Sequence, residues 1–192
     1  MRILSFPEQE VPPHLRTQAL ALQAHAWPSD PGDPPDGTPD HDPLLRPLSV
    51  LLVADDGATL LASLDILTKE ITHRDRRYTA SGLSRVVTDS RQRGRGHGRL
   101  LVASARATIA QLGSDLDVFT CDTPLQGFYE SAGWKLLPGT YLVGGTPEDP
   151  FPSLLFDKVT MAAFFSPTAQ QHATEFHRTR IELHPGTIDR LW

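Results

Sequence analysis

The chain has 192 residues, 39% of them hydrophobic, and a formal net charge of −5, which suffices for one sizeable core and a single domain spanning residues 1–192. No apolar run approaches the ~20 residues that span a bilayer, and the N-terminal MRILSFPEQE lacks the apolar segment of a secretory signal, so a soluble, cytoplasmic chain with no membrane partner is expected. The acidic balance argues against a nucleic-acid partner.

Residues 12–26, PPHLRTQALALQAHA, place Leu15, Ala19, Leu22 and Ala26 at spacings of three and four, the signature of an amphipathic helix packed on a sheet. From Pro28 to Pro43 the composition turns to Pro, Gly and Asp, which predicts a loop made acidic by Asp30, Asp33, Asp36, Asp40 and Asp42. LSVLLVAD (48–55) and ATLLASLDILTKEI (58–71) read as strands joined by a hairpin at Asp56-Gly57. A third antiparallel strand, RYTASGLSRVVT (77–88), follows the polar turn His73 to Arg76.

The period then changes. Leu101, Val102, Ala105, Ile109 and Leu112 line one helical face, with Gly113 at the stop, so the segment reads as strand, glycine-rich turn, helix. DLDVFTC (115–121) is a short strand, and Thr123-Pro124 reads as N-cap and first residue of a helix PLQGFYESA closed by Gly133. A strand is expected from near Trp134, a loop from Gly144 to Pro152, a strand over 156–165, and a short helix opened by Ser166-Pro167. A last strand near 178–183 precedes the tail HPGTIDRLW.

The turn Arg93-Gly94-Arg95-Gly96-His97-Gly98 carries the first chemical signal. Glycines between a strand and a helix let a ligand approach the backbone, and the N–H groups of a helix N-terminus point at an anion such as a diphosphate. A dinucleotide fold would require G-x-G-x-x-G within a parallel βαβ unit, and a P-loop would require Gly-Lys-Ser/Thr; neither pattern is present. A flexible basic turn without a ligand is the alternative, as is a small nucleic-acid patch through Arg91, Arg93, Arg95 and Arg99. No aromatic residue is interleaved with those arginines. The lone cysteine, Cys121, forms no intramolecular disulfide, and the eight histidines lack metal-ligand spacing, so no metal is expected. Cys121 has no assignable His-Asp pair, which favours a buried thiol over a covalent nucleophile.

Arg93-x-x-Gly96-x-Gly98 directly after RVVT, followed by Phe128-Tyr129-Glu130-x-x-Gly133-Trp134, resembles the two signatures of the GNAT superfamily of N-acetyltransferases over roughly residues 48 to 143. The segment VFTCDTPLQGFYESAGW and the tail Ile188-Asp189-x-x-Trp192 look most like the aminoglycoside 2'-N-acetyltransferase branch, although Ser84 stands where that branch carries an acidic residue. The resemblance implies an α+β fold, a mixed, mostly antiparallel sheet with a splayed central strand pair flanked by helices. It implies acetyl-coenzyme A as co-substrate, held by Val86, Val87 and Thr88 along its pantetheine arm and by Arg93, Gly94, Arg95, Gly96, His97 and Gly98 at its diphosphate.

Tyr129 would be the proton donor to the departing thiolate; its other reading is a core tyrosine. The acceptor would be a small cationic amine, met by Ser84, Asp122, Asp189 and the Trp192 carboxylate. The base stays open among Asp65, Glu70, Asp122 and a water chain. A coenzyme A-binding regulatory module without catalysis is the alternative function, and a homodimer is compatible with the sequence.

Overall fold

The computed structural model describes residues 1–28 and 41–192. The expected acidic loop lies outside the described residues except at its end, where the Asp42 side chain accepts a hydrogen bond from the Leu44 amide at 2.9 Å.

Strand β1 (Arg2–Pro7) opens the chain and is followed by helix α1 (Pro13–Ala26). Three strands come next, β2 (Leu48–Val53) and the long β3 (Leu60–His73) and β4 (Arg76–Thr88). Helix α2 (His97–Gln111), β5 (Leu116–Asp122), helix α3 (Gln126–Glu130) and β6 (Lys135–Leu136) form the middle of the chain. The remainder comprises β7 (Tyr141–Gly145), β8 (Pro150–Pro152), β9 (Lys158–Phe164), helix α4 (Pro167–Gln171) and β10 (Arg180–Glu182). A seven-stranded sheet runs β1-β2-β3-β4-β5-β9-β6, and a three-stranded sheet runs β10-β7-β8. In the large sheet only β4 and β5 pair in parallel. This is the mixed, mostly antiparallel α+β architecture expected.

The hairpins form for local reasons. At β2–β3 the Asp56 carboxylate accepts from the amides of Ala58 and Thr59, both at 2.9 Å, and Gly57 takes φ 72°. At β3–β4, Arg74 and Asp75 both adopt positive φ, as a two-residue turn between twisted strands requires.

Side chains of β2 and β3 alternate between two cores. Val50, Leu52, Leu64 and Ile66 pack with Leu101, Val102, Ala105 and Ile109 of α2. Leu51, Val53 and Leu60 pack with Leu15 of α1, joined by Ala19 and Leu22, three of the four positions predicted for its apolar face.

Three expectations need correction. β1 was not anticipated: RILSFP is short and carries a charge and a proline, and its order comes from pairing with β2 across the intervening helix. The Gly144 to Pro152 segment is a hairpin rather than a loop, because β8 is an edge strand where Pro150 and Pro152 can be tolerated without costing a ladder bond. Thr123 does not cap α3. Its hydroxyl donates to Asp157 at 2.7 Å, residues 123–125 form a single tight turn, and the α-helix starts at Gln126 without a side-chain cap.

β4 and β5 are in register only at Ala80/Leu116 and Ser81/Asp117, after which they part. Beside the start of the split lies the Trp192 indole, whose Nε1 donates to the Val118 carbonyl at 2.9 Å. It packs against both the α2-side core and the core around Tyr78, Leu116 and Phe176. Only a glycine fits beneath it: a β-carbon at Gly82 would collide with the indole nitrogen. Gly82→Ala should therefore destabilise the protein by about 1–3 kcal/mol, the usual cost of overpacking. Gly127→Ala, in α3 with nothing within 4 Å of the added carbon, should be neutral or stabilising; urea unfolding midpoints compare the two.

Candidate active site

A bulge in β4 prepares the site. Asp65 pairs with Ser84 and Ser63 with Val87, so Arg85 and Val86 together oppose Leu64, and Arg85 takes φ 51°. A bulge bends its strand and re-aims the residues beyond it. Here Ser84 and Arg85 face a shallow pocket of ≈ 270 Å³ lined by the tail residues 188–192. Val86, Val87 and Thr88 instead line an open cleft of ≈ 610 Å³. Beyond Ser81 their strand has no β5 partner, which leaves a backbone edge free to pair with an extended amide chain.

The cleft continues over the glycine turn. Gly94 (φ 78°) and Gly96 (φ 82°) need positive φ, and a β-carbon at either would meet nothing within 4 Å, so the turn is open to a ligand. Gly98 is needed for close approach instead: a β-carbon there would sit 3.0 Å from Thr88 Oγ1 and 3.4 Å from the Phe128 ring. Gly96 precedes α2, whose N-terminus has no side-chain cap, so its first amides are available to an anion. Arg93, Arg95 and Arg99 are exposed, and among the described residues none is ion-paired to a carboxylate; Arg91 is spent on Asp89, at 2.9 Å. Arg93 and Arg99 line the cleft, whereas Arg95 does not. His97 lines it while being largely buried.

Tyr129 forms the opposite wall. It is 5% exposed, lies edge-on to Phe119 at 4.8 Å and is flanked by Phe128 and Trp134. Burial, reinforced by Cys121, Asp117 and Asp122, pushes its phenol well above the ordinary value, so it stays protonated and has a proton to donate. Cys121 is buried, and burial with Asp122 beside it pushes the thiol up to about 11, which withholds the thiolate a nucleophile needs.

The acidic candidates are dispersed. Asp122 lines the cleft but is paired with Lys158 Nζ at 2.7 Å. Asp65 is buried on the α1 face and accepts from Ser49 Oγ at 2.6 Å. Glu70 is exposed eight residues along β3 from Ala62, the partner of Thr88, or about 26 Å away. Asp189 points inward, its Oδ1 2.5 Å from His41 Nδ1.

Sequence reasoning missed Ala26 and Trp27 at the cleft edge and His41 beneath the tail. The first two come from the end of α1, and nothing in their own segment signals a ligand.

The sequence matches the family described as an acetyltransferase (GNAT) domain over residues 11–137. The chain belongs to the GNAT family of acetyltransferases. It is an enzyme of that acyltransferase class. No curated protein matches the sequence. In fold, this GNAT chain is similar to ElaA of Escherichia coli, with TM-score 0.58 and 18% identity over 84% of this chain and 99% of that one. It is similar to an acyl-CoA N-acyltransferase from Pseudomonas aeruginosa, with TM-score 0.57 and 19% identity over 84% and 97%. An aminoglycoside 6'-N-acetyltransferase complexed with coenzyme A gives TM-score 0.56 and 17% identity over 87% and 98%.

Under Trp134 lies a buried acid: Trp134 Nε1 donates to Asp117 Oδ2 at 2.7 Å, while among the described residues Asp117 Oδ1 and Arg106 Nε have no hydrogen-bond partner. Burial pushes the Asp117 carboxyl up to about 8, against the opposing pull of Trp134 and Arg106. The folded state therefore binds this proton more tightly than the unfolded chain does, and stability falls as pH rises between the two pKa values. From about pH 4.5 to 6.5, Asp117→Asn should flatten a decline of up to about 1.4 kcal/mol per pH unit; urea midpoints across that range measure it.

Proposed function

We propose that this GNAT enzyme transfers an acetyl group from acetyl-coenzyme A to the amine of a small cationic acceptor by direct attack. The observation that carries the reading is the continuity of one cleft: an unpaired strand edge, a glycine turn at an uncapped helix N-terminus and a protonated tyrosine line the same ≈ 610 Å³. These residues fit coenzyme A. Val86, Val87 and Thr88 would pair with its extended amide arm, and a backbone N–H there would polarise the thioester carbonyl. Arg93, Gly94, Gly96, His97 and Gly98 would hold the diphosphate, with Arg99 adding charge.

Bound in this way, the co-substrate supplies an activated acetyl group. Tyr129 donates a proton to the leaving sulfur, an assistance typically worth about 10²–10⁴ in rate. The attacking nitrogen approaches from the side of Ser84, where the tail lines the smaller pocket. Its proton leaves through water at the Ser84 hydroxyl, because the carboxylates of Asp65, Asp122 and Asp189 are each engaged. That engagement favours a second reading, a coenzyme A-binding module without catalysis. The resemblance to the 2' branch bears on residues 118–134 and on the tail, and the cationic character of the acceptor rests on the acidic composition of residues 30–42.

Acetyl-coenzyme A should raise the melting temperature, by roughly 2.7 kcal/mol of stabilisation at a hundredfold excess over Kd. Gly96→Glu should abolish the effect by setting a carboxylate at the open turn; a native protein indifferent to acetyl-coenzyme A would sink the reading.

Tyr129→Phe keeps the ring and loses the hydroxyl, so kcat should fall about 10²-fold or more with little change in co-substrate affinity. Stopped-flow and steady-state rates with a panel of amines measure this. Binding of acetyl-coenzyme A with no transfer to any amine would select the non-catalytic reading.

A further inference from the structure

The tail that lines the Ser84 pocket is tied to β7, where the Gly145 amide donates to the Arg190 carbonyl at 2.8 Å, and at a second, buried point on the α1 side of the sheet, His41. Its imidazole is wholly buried between two carboxylates: Asp189 of the tail, at 2.5 Å from Nδ1, and Asp65 of β3, at 3.4 Å from Nε2. The second is an ion-pair distance without hydrogen-bond alignment. The His41 amide donates to Glu8 Oε2 at 3.1 Å, and the Asp42 amide lies 3.4 Å from Asp189 Oδ2. From Asp189 the chain turns at once, the Trp192 amide donating to the Asp189 carbonyl at 3.2 Å, and this turn delivers the indole to Val118. His41 is thus linked to the β4–β5 split through one short turn.

We propose that His41 is a positioning residue for the acceptor side of the site: it latches Asp189 onto β3 and thereby holds Trp192 in the split and the tail as a wall of the Ser84 pocket. This rests on the acetyltransferase reading for its effect on catalysis, but not for its effect on the tail. Two buried carboxylates on either side of one imidazole are a stable arrangement only when the imidazole is charged, since each would otherwise be a buried ion without a counter-charge. Burial alone would discharge the ring, yet the bond to Asp189 and the attraction of the Asp65 carboxylate outweigh it and push it up to about 9, with Arg85 opposing.

Every element packed against the ring contributes to that balance. β2 contributes Ser49, bonded to Asp65, the turn after β1 contributes Glu8, and the bulge contributes Arg85, 3.9 Å from Glu8. Arg16 and Gln23 of α1 border the same interior. Because the folded pKa lies above the unfolded value of 6.5, the latch is at full strength below that value and is lost as pH rises through about 9.

The test follows the Trp192 indole N–H by amide-type hydrogen exchange in ¹⁵N-labelled protein, with the Trp134 indole, bonded to Asp117, as internal reference. In His41→Ala the Trp192 signal should exchange at least about tenfold faster relative to Trp134. KM for spermidine, the probe amine, should rise about tenfold while acetyl-coenzyme A affinity stays within about twofold. In an Asp117→Asn background, where the partner of the reference indole no longer titrates, the same ratio should rise as pH passes through about 9. Should His41→Ala fail to fold, seen as loss of Trp134 protection, Asp189→Asn removes one charge while keeping the shape and is read in the same way. A Trp192 indole as protected as in the native protein, in whichever variant folds, overturns the latch. Faster Trp192 exchange in a native protein background that acetylates no amine would leave the latch standing and remove the acetyltransferase reading instead.

Discussion

The parting of β4 from β5 after Ala80 and Ser81 is the constraint on which the rest of this structure depends. A parallel pair that stops after two residues leaves unpaired backbone on both strands, and buried backbone groups must find other partners. The chain fills the split in two ways. Near its start, the Trp192 indole satisfies Val118, and Gly82 makes room for it. Farther along, the bulge at Arg85 turns Val86 to Thr88 outward to the cleft. A positive φ at a non-glycine residue costs about 1–3 kcal/mol and persists only where the surroundings impose it; here the register shift against β3 does so.

The two faces of the split each bury titratable groups, held in different ways. On the α2 and α3 face a single carboxyl, Asp117, is bonded to Trp134, and burial keeps it protonated into the neutral range. That hydrogen bond anchors the ring which, with Phe119, borders Tyr129. On the α1 face, Glu8, Asp65 and Asp189 surround one imidazole and one guanidinium, so most of the buried negative charge meets a positive partner. Both arrangements favour the protonated state of a buried group, and both lose stability as pH rises.

Where structure follows from neighbours in sequence, it was legible. The Asp56-Gly57 turn, the apolar stripe of α2, the strands β2 to β4 and the glycine turn all rest on contacts within a few residues and stand where the pattern predicts, except that Leu112, expected on the stripe, lies past the end of α2 and is exposed. Even the short α4 begins as expected, with the Ser166 hydroxyl accepting from the Ala169 amide at 3.1 Å. Legibility failed where pairing is remote. β1 becomes a strand only beside β2, β8 only beside β7, and Thr123 abandons its cap for Asp157, which arrives from the far end of a hairpin.

By itself the sequence determined the α+β class, the family and the segments that line the cleft, because periodicity, turn chemistry and the two glycine-containing signatures are local properties. Tertiary structure alone decided what those segments do to one another. Asp189 reads in sequence as a free acid near the chain's last residues, but it is buried against His41, 148 positions away. Asp122 reads as a candidate base, but it is paired with Lys158. The charge available to a ligand is what remains after such pairs form, and pairing across a fold depends on distances that no linear pattern records.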